Sequence, residues 1–285
     1  MTANGSELRC QLIDDGFCIV ENVLDVELLN QLRAKSDELA AAQSEADAAR
    51  QRSTGSMINV VADPLFADLI ALPEALDIFS MMGFAETKFS SGYVISKPPR
   101  SPRLFWHYDW PGWDDPASFA PFPQQVFLMY YLVDTTRANG CLRVIPGSHI
   151  QHNPLHDQLQ EAHSEALGNA TNLDLPEFSD RPDEVDVQIR AGDVVMGDAR
   201  LLHAAHANET NERRTVITLW YHPDLTGLAE PTQAFIAWMT DTQTRLPDSW
   251  PQDKRDLVEP LRARYDGAAQ AIQWNRSRPA NPPRQ

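Results

Sequence analysis

Apolar residues along this chain follow two rhythms, and the change falls near residue 88. Before it they recur at helical spacing. Residues 6–14 predict a short helix that Gly16 ends, and Phe17, Cys18, Ile19 and Val20 make a β-rich run. Asp25 predicts an N-cap for a helix that starts at Val26 and turns Leu28, Leu29 and Leu32 to one side. Residues 40–56 are polar and extend that helix before loosening into a mobile segment. Two short helices are expected at 64–70 and 73–82.

Beyond residue 88 the runs shorten and turn residues bound them. Strands are expected at 89–96, 125–133, 141–145, 185–190, 193–196 and 215–221. Asn139-Gly140 signals a tight turn between two of them. Short strands without intervening helices predict a mainly β fold, a barrel or sandwich. Residues 150–181 form a long polar insertion, and loops of that length are often functional covers, so a lid is one reading. A C-terminal helix is expected at 259–272, with 253–258 as a weaker start. The proline-rich tail 276–285 is expected to be disordered. The whole reads as one domain over 1–275: a helical part to about 85, a β core over about 86–225, and a helical extension over about 226–275.

Composition narrows the partners. The chain has 285 residues and a net charge of −16. That charge argues against nucleic acid and against anionic membranes. Cys10, Cys18 and Cys141 are too few and too scattered for a disulfide framework or a structural zinc. No basic-then-apolar leader and no membrane-length apolar run is present, so a cytoplasmic protein acting on a small molecule is expected. Oligomeric state is open at this level.

The chemistry concentrates in Trp106-His107-Tyr108-Asp109-Trp110, which His203 and Arg214 answer about a hundred residues later. On a strand, residues two apart face the same way, so His107 and Asp109 can reach one ion while Tyr108 points elsewhere. Two imidazoles and one carboxylate are the ligand set of the Fe(II) facial triad, which leaves positions open for a co-substrate and O2. A distant arginine is the planar, bidentate partner that the far carboxylate of a keto diacid needs.

An ordered series of strings then resembles the phytanoyl-CoA dioxygenase superfamily and, within it, the ectoine hydroxylases. They are Lys97-Pro98-Pro99, Trp106-His107-Tyr108-Asp109, Asn139-Gly140-Cys141-Leu142, Ile145-Pro146-Gly147-Ser148-His149 and Gly192-Asp193, followed by His203, Asn208 and Arg214. The resemblance spans about residues 10–225. It implies a double-stranded β-helix, or jelly roll, with flanking helices. It also implies Fe(II), 2-oxoglutarate as co-substrate, and O2. His107, Asp109 and His203 would be the metal ligands and Arg214 the 2-oxoglutarate anchor. His206 is the rival for the distal position. The family spacing, Asn five and Arg eleven residues after the ligand, selects His203. Met129 and Tyr93 stand where relatives place co-substrate neighbours. Trp113, with Trp110 beside it, would line the substrate pocket by the same match, and aromatic packing is the alternative for both. His149 reads as structural.

One departure bears on the co-substrate. Many relatives carry a serine two residues after the distal histidine, and this chain has Ala205. A carboxylate at Asp109 implies hydroxylation rather than halogenation, which needs that ligand position vacant. The alternatives are a non-catalytic jelly-roll binding protein that retains the metal site and, last, a zinc hydrolase. The latter has no general base in the motif and no task for Arg214. Lys97 and Arg103 read as cations near the mouth, more in keeping with surface salt bridges than with an anion site.

Overall fold

A computed structural model describes residues 4–84, 86–159, 161–162, 164–272 and 282. Before the β core come α1 (Gly5–Asp14), β1 (Phe17–Val20), α2 (Val26–Ala41), α3 (Glu45–Arg50), β2 (Ile58–Asn59), α4 (Phe66–Ile70) and α5 (Pro73–Met81). The core strands are β3 (Lys88–Lys97), β4 (Leu104–His107), β5 (Val126–Tyr131), β6 (Leu142–Val144), β7 (Val185–Val187), β8 (Val194–Asp198), β9 (His203–Ala205) and β10 (Arg214–His222). A short α6 (Glu165–Gly168) lies between β6 and β7, and α7 (Glu230–Thr242) and α8 (Gln252–Val258) follow the core. Among the described residues, no helix is long and apolar enough to cross a membrane.

Two antiparallel sheets face each other, as the jelly-roll expectation requires. The larger runs β1-β8-β5-β10-β3-β2 and the smaller β4-β9-β6-β7. Alternation explains why the larger sheet is buried on both sides. On β5, Val126, Leu128 and Tyr130 join the helix-side core with Leu8, Leu32, Phe66 and Phe79. Phe127, Met129 and Tyr131 point the other way, between the sheets, with Leu142, Val144 and Val216. A strand covered on both faces reads as a continuous apolar run, and residues 126–132 do. Asp25 caps α2 as expected, its side chain accepting from the Leu28 amide at 2.7 Å.

Several expectations need correction. The 40–56 stretch does not prolong α2. Ser44 opens the separate helix α3 by accepting from the Asp47 amide. Ser53, Thr54 and Ser56 are then buried. Ser56 Oγ donates to the Val94 carbonyl at 2.8 Å and accepts from the Ser96 amide at 2.9 Å, tying this segment to β3. Helix α7 lies inside the helical extension expected over about 226–275, which gave it no bounds. Its apolar positions do follow helical spacing, with Phe235, Ile236 and Met239 buried, but threonines punctuate them. The C-terminal helix comes earlier than 259–272. Pro260 cannot donate to a continuing helix, and Arg262 turns extended to bridge Phe89. Apart from Pro282, the tail expectation at 276–285 falls outside the described residues.

The 150–181 insertion is built, in part, as the floor of the smaller sheet. Phe178 packs edge-on against Phe105, and the Trp106 indole donates to the Ser179 carbonyl at 2.9 Å. It covers the outer face of β4. The Asn139-Gly140 turn is present, with Gly140 at φ 91°, where a Cβ would lie 2.9 Å from the His206 carbonyl oxygen.

Candidate active site

Register brings the two histidines together. β4 and β9 pair antiparallel with His107 directly opposite His203 and Leu104 opposite Ala205. Three steps on β4 therefore match two on β9, which is a bulge. An unbroken ladder would set Trp106 against His203. The extra residue leaves Phe105 and Trp106 in outer clusters and turns His107 inward. The imidazole centroids lie 4.1 Å apart.

Asp109 is placed by a different device from the strand periodicity expected for it. β4 ends at His107. The amides of Asp109 and Trp110 both donate to the Ala199 carbonyl, at 2.7 and 2.8 Å. That carbonyl lies in a turn held by buried Arg200. Its guanidinium bonds Asp198 and also donates to the carbonyls of Ser118, Ala120 and Phe122.

The donor atoms converge. His107 Nε2 lies 3.5 Å from Asp109 Oδ1, and His203 Nε2 lies 3.8 Å from Asp109 Oδ2. Each imidazole has Nδ1 3.0 Å from a carbonyl oxygen, Phe105 for His107 and Leu201 for His203. Only an N–H satisfies a carbonyl at that distance, so in the neutral rings Nε2 presents its lone pair inward. Two lone pairs facing a carboxylate repel unless a cation sits among them. The three side chains therefore fit a divalent metal. The Trp220 indole donates to Asp109 Oδ2 at 2.8 Å and fixes the carboxylate's orientation.

These groups line a cavity of about 280 Å³ that runs along β10. Alternate residues of that strand, Arg214, Val216, Thr218 and Trp220, form one wall. Arg213 points the opposite way and donates to the Ser96 carbonyl. Arg214 is buried, and among the described residues its Nε has no partner. Burial pulls its pKa down, yet a guanidinium remains charged. A buried, under-bonded cation facing a cavity fits an anion. Tyr93 and Met129 flank Thr218 in the ladder and line the same space.

Some expected residues lie elsewhere. Trp110 and Trp113 are in a core cluster with Leu225, Leu228 and Ile236, and neither lines this cavity. The Trp110 indole donates to Ser118 Oγ at 2.8 Å. Among the described residues, none of 150–181 lines the cavity either. Lys97 is not at a surface mouth. It is fully buried, donates to the carbonyls of Ser53 and Pro102, and is pushed well below its ordinary pKa by desolvation and then by Arg214. Arg103 does make the expected surface ion pair, with Asp180 at 2.7 Å. His206 turns away from the triad to Asp186, 2.6 Å off. His149 bonds the Ile13 carbonyl and holds a turn.

Sequence reasoning missed Trp220 and Thr218. Period-two counting from Arg214 along β10 finds both. Thr218 Oγ1 is wholly buried and has no hydrogen-bond partner among the described residues.

Comparison with known proteins agrees with this architecture. The profile of the phytanoyl-CoA dioxygenase (PhyH) family matches residues 12–216. An ectoine dioxygenase of Nocardia farcinica is 25% identical over 234 residues, covering 77% of this chain and 78% of that protein. Among solved structures, the non-heme α-ketoglutarate-dependent carbocyclase SnoK from nogalamycin biosynthesis superposes with a TM-score of 0.57. It is 20% identical, and the match covers 78% of this chain and 87% of that one. EctD from S. alaskensis, solved with 2-oxoglutarate and 5-hydroxyectoine, gives a TM-score of 0.55 at 20% identity, over 76% and 75% of the two chains. These structural likenesses speak to the fold, and the family profile spans every strand that carries His107, His203 and the start of β10, so the chain belongs to the phytanoyl-CoA dioxygenase family.

Proposed function

We propose that the protein is an Fe(II)- and 2-oxoglutarate-dependent dioxygenase that hydroxylates an unactivated C–H bond of a small molecule. One observation carries the reading. A two-histidine, one-carboxylate cluster shares a cavity with a buried guanidinium that lacks a full set of acceptors. Ferrous iron in such a site supplies, when bound, oxidation of a C–H bond by O2 coupled to conversion of 2-oxoglutarate to succinate and CO2.

The chain's own residues do the rest. His107, Asp109 and His203 would hold the metal, with the Phe105 and Leu201 carbonyls fixing both imidazole tautomers. The Trp220 indole occupies one side of Asp109 Oδ2, which orients the carboxylate toward the two imidazoles. Arg214 would pair with the far carboxylate of 2-oxoglutarate, in surroundings dry enough to strengthen that contact. The Thr218 hydroxyl is free to donate where Ala205 has nothing to offer. Val216, Met129 and Tyr93 close the walls between anchor and triad and keep water from the reacting atoms.

The test is direct. Anaerobic addition of Fe(II) and 2-oxoglutarate should produce a visible metal-to-keto-acid absorption band. Admitting air should then yield succinate even without a substrate, slowly. Metal-loaded protein that shows neither would be a binding protein on a jelly-roll frame. Because two relatives are named ectoine dioxygenases, ectoine is a first compound to assay for stimulated turnover.

A further inference from the structure

The cavity is electrically lopsided along β10. One end carries the Arg214 guanidinium, paired across β10 and β3 with Lys97, whose Nζ is taken up by the Ser53 and Pro102 carbonyls. The other end lies past Trp220 and Ser91, where Ser90, Gln125 and Thr244 meet, and Met239 and Gln243 line the cavity from the α7 side. None of those five is charged. The only carboxylate among the described lining residues is Asp109, whose Oδ2 already accepts from the Trp220 indole.

This neutral end is firmly built. Thr244 Oγ1 donates to the Ser90 carbonyl at 3.0 Å and pins the chain just after α7 onto β3. The Gln125 carbonyl accepts from the Ala199 amide at 2.8 Å, while the Ala199 carbonyl accepts from Asp109. Gln125 is thus tied by backbone to the turn that places the carboxylate of the triad. Among the described residues its buried carboxamide makes only a long contact, 3.5 Å, to Ser90 Oγ, which leaves bonding capacity for something in the cavity. Met239 supplies an adaptable apolar flank beside it.

Given the oxygenase reading above, we infer that this end is the substrate subsite, that it takes an uncharged hydrogen-bonding group beside an apolar one, and that Gln125 and Met239 determine which substrate enters. A cation there would meet no free carboxylate, and an unpaired buried charge is strongly disfavoured. An anion would be drawn to Arg214 and compete with the co-substrate. A phosphate-bearing carrier would find no Lys or Arg at this end. The family match stops at residue 216, whereas Met239, Gln243 and Thr244 lie beyond it.

The experiment uses full-length protein with Fe(II) and 2-oxoglutarate under argon. It is mixed with a size-matched library of small molecules, one third neutral amides and alcohols, one third amines and one third carboxylates. Retained compounds are identified by mass spectrometry. Neutral members should dominate. Gln125→Glu should weaken them about tenfold, the loss of roughly one good hydrogen bond, and should admit amines. Met239→Trp should exclude the bulkier neutral members. Should Met239→Trp fail to fold, the near-isosteric Gln125→Glu carries the test alone. Charged compounds retained as often as neutral ones, no retention at all, or an unchanged pattern in Gln125→Glu would each overturn the inference. Iron content and 2-oxoglutarate binding are measured in the same samples. Their loss sinks the oxygenase reading, whereas their presence without neutral preference sinks only the subsite.

Discussion

Among the described residues, two clusters bring imidazole and carboxylate together with a third donor, and they differ in the partners those atoms already have. In both, the donor atoms lie within 4.8 Å of one another. Around His107, Asp109 and His203, neighbouring carbonyls consume the Nδ1–H groups and an indole approaches one carboxylate oxygen. Both Nε2 atoms face the Asp109 carboxylate. Around Cys141, Asp186 and His206, the group satisfies itself. His206 Nε2 bonds Asp186 at 2.6 Å, and Arg137 reaches the other carboxylate oxygen at 3.4 Å. Burial, and then Asp186, push the Cys141 thiol up to about 11, and a protonated thiol is a poor ligand. Convergence alone does not make a metal site. What the converging atoms already bond to separates the two groups.

The comparison breaks first at the ligands. Asp109→Ala or His203→Ala should cost more in iron affinity than the roughly 100-fold upper range for residues that merely support a ligand. Iron retained after dialysis reads this, and His206→Ala should retain iron as the unaltered protein does. If His206→Ala loses iron and His203→Ala keeps it, the two clusters have been assigned the wrong way round. Next in size is Arg214→Ala. Losing one partner of a buried charge pair costs about 3 kcal/mol, roughly a hundredfold. The apparent 2-oxoglutarate affinity should fall by that factor while iron content holds.

Trp220→Phe is a finer probe of the first cluster. It keeps the ring and deletes the N–H that reaches Asp109, so iron affinity should drop about tenfold, measured by competition with a chelator. The smallest effect belongs to the second cluster. Cys141→Ala should lower stability by about 1 kcal/mol through lost packing, seen in a denaturant midpoint, with iron content unchanged.

Much of this was legible beforehand because it is local. Asp25 and Leu28 are three residues apart, so the α2 cap is written in adjacent letters. The strands β3, β5, β8 and β10 announced themselves by composition. The short strands β4 and β9 did not, since four and three residues carry too little pattern. Trp113 looked like a substrate contact by string match and packs instead with residues that follow the β core. Nothing near Trp113 in the chain signals those partners.

The sequence by itself determined the residue types of the site, the spacing of His107, Asp109, His203 and Arg214, and the alternation that puts β5 between two cores. Those follow from local chemistry and from periods of two and 3.6. Only the tertiary structure decided that a bulge in β4, rather than strand alternation, aims His107 at His203, and that Ala199 places Asp109. It also decided that Trp220 orients the carboxylate and that Gln125 and Met239 share a wall. Each of those depends on register and on contacts between residues far apart in the chain, and a one-residue change of register reverses which face a side chain takes.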